Sequence, residues 1–342
     1  MKMTTLKKLL TGFFLAAFIL FLALFNGMKP RILVLHSFAQ DDPWPIRVNA
    51  GINRVLRENR NPVNVKHHYL DVIKNRRTDT LQLAVNEALQ AIERQKPDIV
   101  IAFDDEANEM VASRYAGKGK PRILFASTLQ PPERYGYAGA ANVSGVMEKL
   151  PLDAIRDAIH ITLKGKPARI AVVAMDDETC RAELAQVQSY NWAPHRITAV
   201  QAKNSFPEWR EFISGLAERA DVLLVLSYGG LEKGSGSREE VPGTELVSWI
   251  EKNSKPLPIS ICPAYAEDGG GLEVAPSPSD FGLLGMNMAL KWVEAGKGAP
   301  PPSIQSSHHF RIGMRKSLLE ARGIIMPPIY VEAARTAEAW YP

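Results

Sequence analysis

Short apolar runs alternate with longer segments of helical period from residue 31 to about residue 330. Six of the runs, 31–36, 97–103, 120–125, 169–174, 220–226 and 257–262, are apolar enough to be buried on both faces, as central parallel strands are. The segments between them carry helical signatures. Leu81, Val85, Ala88, Leu89 and Ile92 repeat at i, i+4, i+7, i+8 and i+11, one face of an amphipathic helix. Pro45 and Pro151 suit a first helical turn, where a missing N–H costs nothing. Ser205 and Glu208 form a capping box ahead of Trp209, Phe212, Ile213 and Leu216. This alternation predicts an α/β fold, with helices packed on parallel sheets.

The order of the runs repeats. Run 31–36 corresponds to 169–174, and each is followed within a few residues by an Asp-Asp pair; 97–103 corresponds to 220–226, and 120–125 to 257–262. Two such units predict two similar, doubly wound α/β lobes rather than a stacked array of repeats. Beyond them, Ser279-Asp280 reads as the cap of a helix running through Phe281, Leu284, Met288 and Trp292. After the three prolines at 300–302 come a strand-like 304–312 and a short helix ending at Gly323. That extra helix and strand belong to different lobes, so three crossings are expected, near Asn142, Pro263 and Pro302. The reading therefore places 31–141 and 264–302 in one lobe and 142–263 and 303–330 in the other. Residues 331–342 are read as a C-terminal tail.

The N-terminus changes the picture of where such a body works. Lys7-Lys8 precede an apolar run at 9–25, broken only by Thr11 and Gly12. Its 17 residues approach the ~20 that span a bilayer. The small-residue pattern of a signal-peptidase site is poor at Leu22-Ala23-Leu24 and Phe25-Asn26-Gly27. Lysines before the run and none within it place the N-terminus inside and the body outside. Segment 1–29 is thus read as an uncleaved anchor holding the body on the outer face of a bacterial inner membrane. A cleaved signal and a secreted body are the alternative, and either way the body is exported. Three of the four net positive charges are Lys2, Lys7 and Lys8, so the body is close to neutral. Clustered basic residues of the kind nucleic acid requires are not seen, since 74–77 and 118–120 read as solvated turns. Cys180 and Cys262 make neither a disulfide framework nor a CxxC motif, and both read as small buried apolar residues.

Ligands of open parallel sheets bind beyond the carboxyl ends of the strands, which yields a set of candidate site residues. Ser37, Phe38, Gln40 and Trp44 follow the first run, Asp104 and Asp105 the second, and Ser127 and Thr128 the third. In the second lobe the same positions hold Asp176, Asp177, Ser227, Tyr228 and Tyr265. Hydroxyls, carboxylates and aromatics so placed suit a small polar ligand with a flat or apolar part. Asp104 and Asp177 are also good helix caps, and Trp44, between Pro43 and Pro45, is equally a packing plug or a stacking wall. No GxSxG elbow, P-loop or HExxH is present. His67-His68 and His308-His309 are strand neighbours pointing to opposite faces, so neither pair is read as a metal site. The reading is a binding protein without cofactor, metal or catalytic residues.

From about residue 31 to 328 the chain resembles the ABC transporter substrate-binding family that includes tryptophan- and tyrosine-type binding proteins. The resemblance is carried by Asn142-Val-Ser-Gly-Val146, similar to that family's crossover strand. It is carried also by 310–328, similar to its terminal strand, helix and Gly-Ile…Pro ending. It implies a type I periplasmic-binding-protein fold that captures a small ligand, an amino acid or similar molecule, for an ABC permease. Two stretches depart from the transport members: Phe103-Asp104-Asp105-Glu106 stands where they carry a small Thr-Pro-Ala-like turn, and the loop 37–44 with Pro43-Trp44 looks like versions fused to sensor kinases. The departures keep open a second expectation, a membrane-anchored sensor with a kinase partner.

Overall fold

All six buried runs become strands of two sheets in the computed structural model, which describes residues 7–8, 10–20, 29–72, 78–237, 239–296 and 298–342. The first sheet contains β1 (Arg31–His36), β2 (Asn64–Tyr69), β3 (Ile99–Phe103), β4 (Arg122–Thr128), β5 (Val143–Glu148) and β11 (Gln305–Ser307). Their order is β2-β1-β3-β4-β5-β11, and every pair is parallel. The second contains β6 (Arg169–Ala174), β7 (Arg196–Ala202), β8 (Val222–Val225), β9 (Leu257–Ser260), β10 (Leu272–Pro276), β12 (Phe310–Arg315) and β13 (Trp340–Tyr341). Their order is β7-β6-β8-β9-β10-β12-β13, parallel except for β10 against β12. The two orders match strand for strand as far as β5 and β10, which is the duplication visible in the sequence.

Strand alternation sorts the first lobe into two apolar layers. Ile32 and Val34 pack with Val48 and Ile52 of α1 (Pro43–Glu58) and with Phe281, Met286 and Trp292 of α8 (Pro278–Glu294). Leu33 and Leu35 face the other way, onto Val85, Ala88 and Ile92 of α2 (Thr78–Gln95) and onto Ala107 of α3 (Asp104–Met110). The second lobe has one continuous core, to which α4 (Leu152–Thr162), α5 (Glu178–Ser189), α6 (Phe206–Ser214) and α7 (Gly243–Asn253) all contribute.

The exchanges between sheets fall later in the chain than the sequence suggests, the second by most. β5 lies in the first sheet, because Val143 and Val146 fill the first lobe's two layers and Gly145 lets the strand close on Phe125. The chain crosses near 149–151, at Ser277 and at 308–309, so β10 joins the second sheet, and α8 and β11 return to the first. The stretch 304–312 is two strands rather than one, handed from the first sheet to the second at His308-His309. The cap of α8 is Ser277, with Ser279 and Asp280 inside its first turn. Ser205 Oγ reaches the Glu208 carboxylate at 2.6 Å rather than a backbone N–H.

Residues 331–342 are not a loose tail. After the short helix α9 (Lys316–Ala321), helix α10 (Pro328–Thr336) and β13 extend the second lobe, with Ala334 fully buried. The expected anchor, 1–29, lies in large part outside the described residues, as does the basic run 74–77. Residues 10–20 are helical and exposed, and among the described residues no helix is long and apolar enough to cross a membrane.

Helices α1 and α8 meet at glycines. A Cβ on Gly51 would stand 1.8 Å from the Ser279 carbonyl oxygen, and one on Gly282 would stand 2.0 Å from that of Val48. Neither backbone can yield without separating the helices that cover β1, β3 and β4. Gly282→Ala is expected to destabilise the protein by about 1–3 kcal/mol, the usual cost of overpacking. Gly298→Ala, at an open position, is expected to change little. Thermal melting of the two variants checks this, and equal melting temperatures would contradict it.

Candidate functional site

The carboxyl ends of both sheets open onto one cavity of about 540 Å³. Phe38, Trp44, Asp104, Asp105, Ser127 and Glu148 line it from the first lobe; Asp177, Glu183, Ser227, Tyr228, Cys262 and Asp268 line it from the second. The lobes also touch at its rim. Arg47 donates to the Pro263 carbonyl at 3.2 Å and pairs with Glu267, and Arg134 bonds Glu178 at 2.8 Å.

Local structure aims the first-lobe side chains. Ser37 Oγ donates to the Phe103 carbonyl (3.1 Å) and accepts from the Ala107 N–H (3.0 Å), tying the loop after β1 to the start of α3. Asp42 caps α1 by accepting from the Trp44 N–H, and the Trp44 indole then donates to Asp104 at 2.9 Å. Pairing of β4 with β5 skips a residue between Ala126 and Thr128, so Ser127 is a bulge, and its hydroxyl meets Glu148 at 2.7 Å. Asp104 and Ser127 both stand in the left-handed region, at φ of +69° and +56°. Such backbone costs on the order of 1–3 kcal/mol per residue and concentrates at ligand clamps.

In the second lobe Asp177 caps α5 through the Cys180 N–H at 2.8 Å. Glu183, one turn further along the same buried face, accepts from the Ser227 hydroxyl (2.6 Å) and N–H (3.1 Å). Tyr228 donates to Asp268 at 2.6 Å.

Burial dominates the electrostatics. It pushes Glu148 up to about 8 against the Ser127 bond, with Glu183 and Asp105 adding to the rise. It pushes Glu183 up to about 7 against its bonds to Ser227. Asp104 is held well above the ordinary range by burial and then by Glu106, Glu148 and Asp105, the Trp44 bond opposing. Asp105 rises less, because Tyr135 and the Leu129 and Gln130 N–H groups all donate to it.

The structure brings eight of the sequence-derived residues to the cavity wall: Phe38, Trp44, Asp104, Asp105, Ser127, Asp177, Ser227 and Tyr228. Five lie elsewhere. Ser37 is the internal clip just described, Gln40 is exposed in a turn, and Thr128 is fully buried behind Ser127. Asp176 points outward to Arg181 at 2.8 Å, and Tyr265 is buried on Glu251 at 2.9 Å. Sequence reasoning missed Arg47, Glu148, Glu183 and Asp268. One signal was available for Glu183: Cys180, Glu183 and Val187 are spaced i, i+3, i+7, an acid on the buried face of a helix.

No protein-family model matches the sequence, and no curated protein matches it. Solved structures do. A tryptophan-bound ABC domain from Streptococcus pneumonia superimposes with a TM-score of 0.63 at 16% identity, over 90% of this chain and 98% of that one. A ligand-free, open substrate-binding protein with adhesive properties from Clostridium difficile gives 0.64 at 14%, over 87% and 96%. The chain has the type I periplasmic-binding-protein fold. An arabinose-binding protein from Geobacillus stearothermophilus matches this binding-protein fold more distantly, with a TM-score of 0.58 at 12% identity, over 87% and 100%.

Glu148 and Glu183 keep their protons in the folded protein to about pH 8 and about pH 7, whereas the unfolded chain releases them near the ordinary value of 4.5. The folded state therefore holds more protons between those limits, and stability falls as pH rises through them. The ligand-free protein is expected to melt at a lower temperature at pH 8 than at pH 5. Glu148→Gln should flatten that fall and raise the melting temperature at pH 8, each kcal/mol being worth roughly 2–4 °C at this size. Melting that is insensitive to pH in the parent, or unchanged in slope in the variant, contradicts the assignment.

Proposed function

We propose that this chain is an extracytoplasmic solute-binding protein that captures one small polar ligand between its lobes, as the substrate-binding component of an ABC transporter. The observation that carries the reading is the cavity of about 540 Å³ walled by both lobes at their strand ends. Its volume suits a single small molecule. Contacts from two lobes also give a ligand the means to favour a closed form, since only differential contacts shift such an equilibrium. Structures of the same fold include one crystallised with L-Trp and one described as an arabinose-binding protein, which supports capture rather than chemistry. The residues proposed to hold the ligand are Phe38, Trp44, Asp104 and Ser127 from one lobe and Asp177, Ser227 and Tyr228 from the other. The apolar run at 9–25 is proposed to tether the body to the outer face of the inner membrane.

One observation favours a second reading. The Pro43-Trp44 loop resembles that of sensor input domains, and Trp44 lies in the cavity on the Asp104 carboxylate. In that reading the same captured ligand is reported to a kinase partner. Co-purification with a permease or with a kinase separates the two.

Screening the protein by thermal shift against amino acids, sugars, nucleosides, amines and small organic acids is expected to find a stabilising ligand that is recovered unchanged. A ligand that binds only the folded state contributes about 2.7 kcal/mol at 100 times its dissociation constant. Trp44→Ala is expected to weaken that response while leaving the fold intact. A library-wide flat response, or a ligand converted to product, defeats the reading.

A further inference from the structure

The cavity wall is strongly one-sided in charge. Among the described residues nine carboxylate side chains line it and one cation does, Arg47. That guanidinium is already committed to the Pro263 carbonyl and to Glu267. Two helix N-termini at the cavity, of a kind that elsewhere receives anions, are here filled by acids of the chain itself. α3 opens with Asp104, Asp105 and Glu106, and α5 is capped by Asp177 and followed by Glu178. A ligand carboxylate would meet an acid of the chain in each of these places.

The acids differ in how far the protein satisfies them. Asp105 accepts three hydrogen bonds and Glu183 two, and Asp268 has the Tyr228 hydroxyl. Asp104 is different. It is 8% exposed, Trp44 occupies its Oδ1, and its Oδ2 is buried with no partner at all. Leaving a buried acceptor empty is costly unless a ligand fills it. Beside it, Glu148 has the Ser127 hydroxyl as its hydrogen-bond donor. Against the same corner lie the rings of Phe38 and Trp44, with centroids 6.1 Å apart and tilted by 34°. Aromatic faces next to carboxylates attract a positive charge and the apolar carbons around it.

We infer that the cavity takes an organic cation, a small amine in its ammonium form with a flat or apolar body, whose N–H groups go to Asp104 and Glu148. The inference rests on the solute-binding reading and names its ligand class. An ammonium supplies up to three donors and no acceptor, which is what this corner lacks. Among the described residues no three acid, histidine or cysteine groups are grouped to hold a metal ion, so the positive charge is assigned to an amine rather than to a bare cation.

The charge state of the wall couples binding to pH. Asp104 is faced by Asp105 and Glu106 on its own helix, by Glu148 on β5 and by Trp44 on α1; Glu148 is faced by Ser127, Asp105 and, across the cleft, Glu183. Burial raises Asp104, Glu148 and Glu183, the second to about 8 and the third to about 7. An ammonium must displace their protons, so it binds more tightly as pH rises and releases protons as it binds.

The test uses the full-length protein and three matched sets of probes: tyramine, tyrosine and 4-hydroxyphenylacetate; tryptamine, tryptophan and indole-3-acetate; putrescine, ornithine and succinate. Calorimetric titration at about pH 6 and about pH 8 is expected to show an amine binding at least roughly tenfold tighter than its zwitterion and its acid, and tighter at the higher pH. Asp104→Asn is expected to weaken that amine by roughly ten- to a hundredfold, as loss of a charged hydrogen bond does. Should that variant fail to fold, Glu148→Gln and the pH dependence of the parent carry the same test. The inference is overturned if the zwitterions or acids bind as tightly as the amines, or if calcium stabilises the protein and no amine does. It is overturned too if sugars or amino acids bind and all amines are silent, and in that case the solute-binding reading stands. Silence from these probes and from the wider library removes both.

Discussion

Carboxylates withdrawn from water on both sides of one cleft must each find a donor, a proton or a counter-ion, and much of this structure is arranged around that demand. The two lobes bury their apolar strands independently, and their cores would tolerate a neutral seam. Instead each lobe delivers a buried acid toward the other: Glu148 with Ser127 on one side, Glu183 with Ser227 on the other. Each serine hydroxyl supplies one hydrogen bond, which offsets part of the desolvation but leaves the like charges opposed. Protons complete the balance in the empty protein, and a cation can replace them in the occupied one. The bulge at Ser127 and the left-handed backbone at Asp104 are the local distortions that bring these groups to the cavity.

The same seam connects the site to the hinge. Glu148 ends β5, the last first-lobe strand before the chain first crosses, and its register partner on β11 is Ser307, the last residue before it crosses for the third time. The crossing segments are held together by β5–β11 pairing and by the Ser277 N–H on the His309 carbonyl. A change of charge on Glu148 is thus felt at the segments that join the lobes, without a relay through either core. At the opposite rim, Arg47 reaches Pro263 and Glu267 from α1. Any opening must break this contact, and both of its side chains are accessible to water, so its net contribution is small.

The architecture was legible in the sequence to the extent that burial on both faces leaves a continuous apolar run. β1, β3, β4, β6, β8 and β9 are such runs, and their order alone predicts two similar lobes. The sheet edges were less legible. β5 reads as a crossover because its position in the chain suits one, yet Val143 and Val146 bury in the first lobe. The run 304–312 reads as one strand because periodicity does not record which sheet a strand pairs with. At the site, Trp44, Asp104 and Asp177 follow strand ends, where a general rule finds them. Glu148 and Glu183 do not, since one is the last residue of its strand rather than beyond it and the other lies within a helix, where an acid normally signals a solvated face. Their hydrogen-bond partners lie elsewhere in the chain, Ser127 for Glu148 and Ser227 for Glu183, and only the spacing of Cys180, Glu183 and Val187 hints locally at burial. Tyr265 fails for the converse reason: it follows a strand end as the others do, but Glu251 draws its hydroxyl into the core.

The central claim is that acids of the interlobe wall are dry enough to hold protons near neutrality. It is tested most directly by following side-chain carboxyl carbons of 13C-labelled glutamate by NMR as the ligand-free protein is titrated. The account predicts two glutamates that lose their protons far above the rest, Glu148 at about 8 and Glu183 at about 7, assigned by their absence in Glu148→Gln and Glu183→Gln. Both titrating near the ordinary glutamate value, about 4.3, would mean that the cleft is wet and its acids ionised, and would contradict the account.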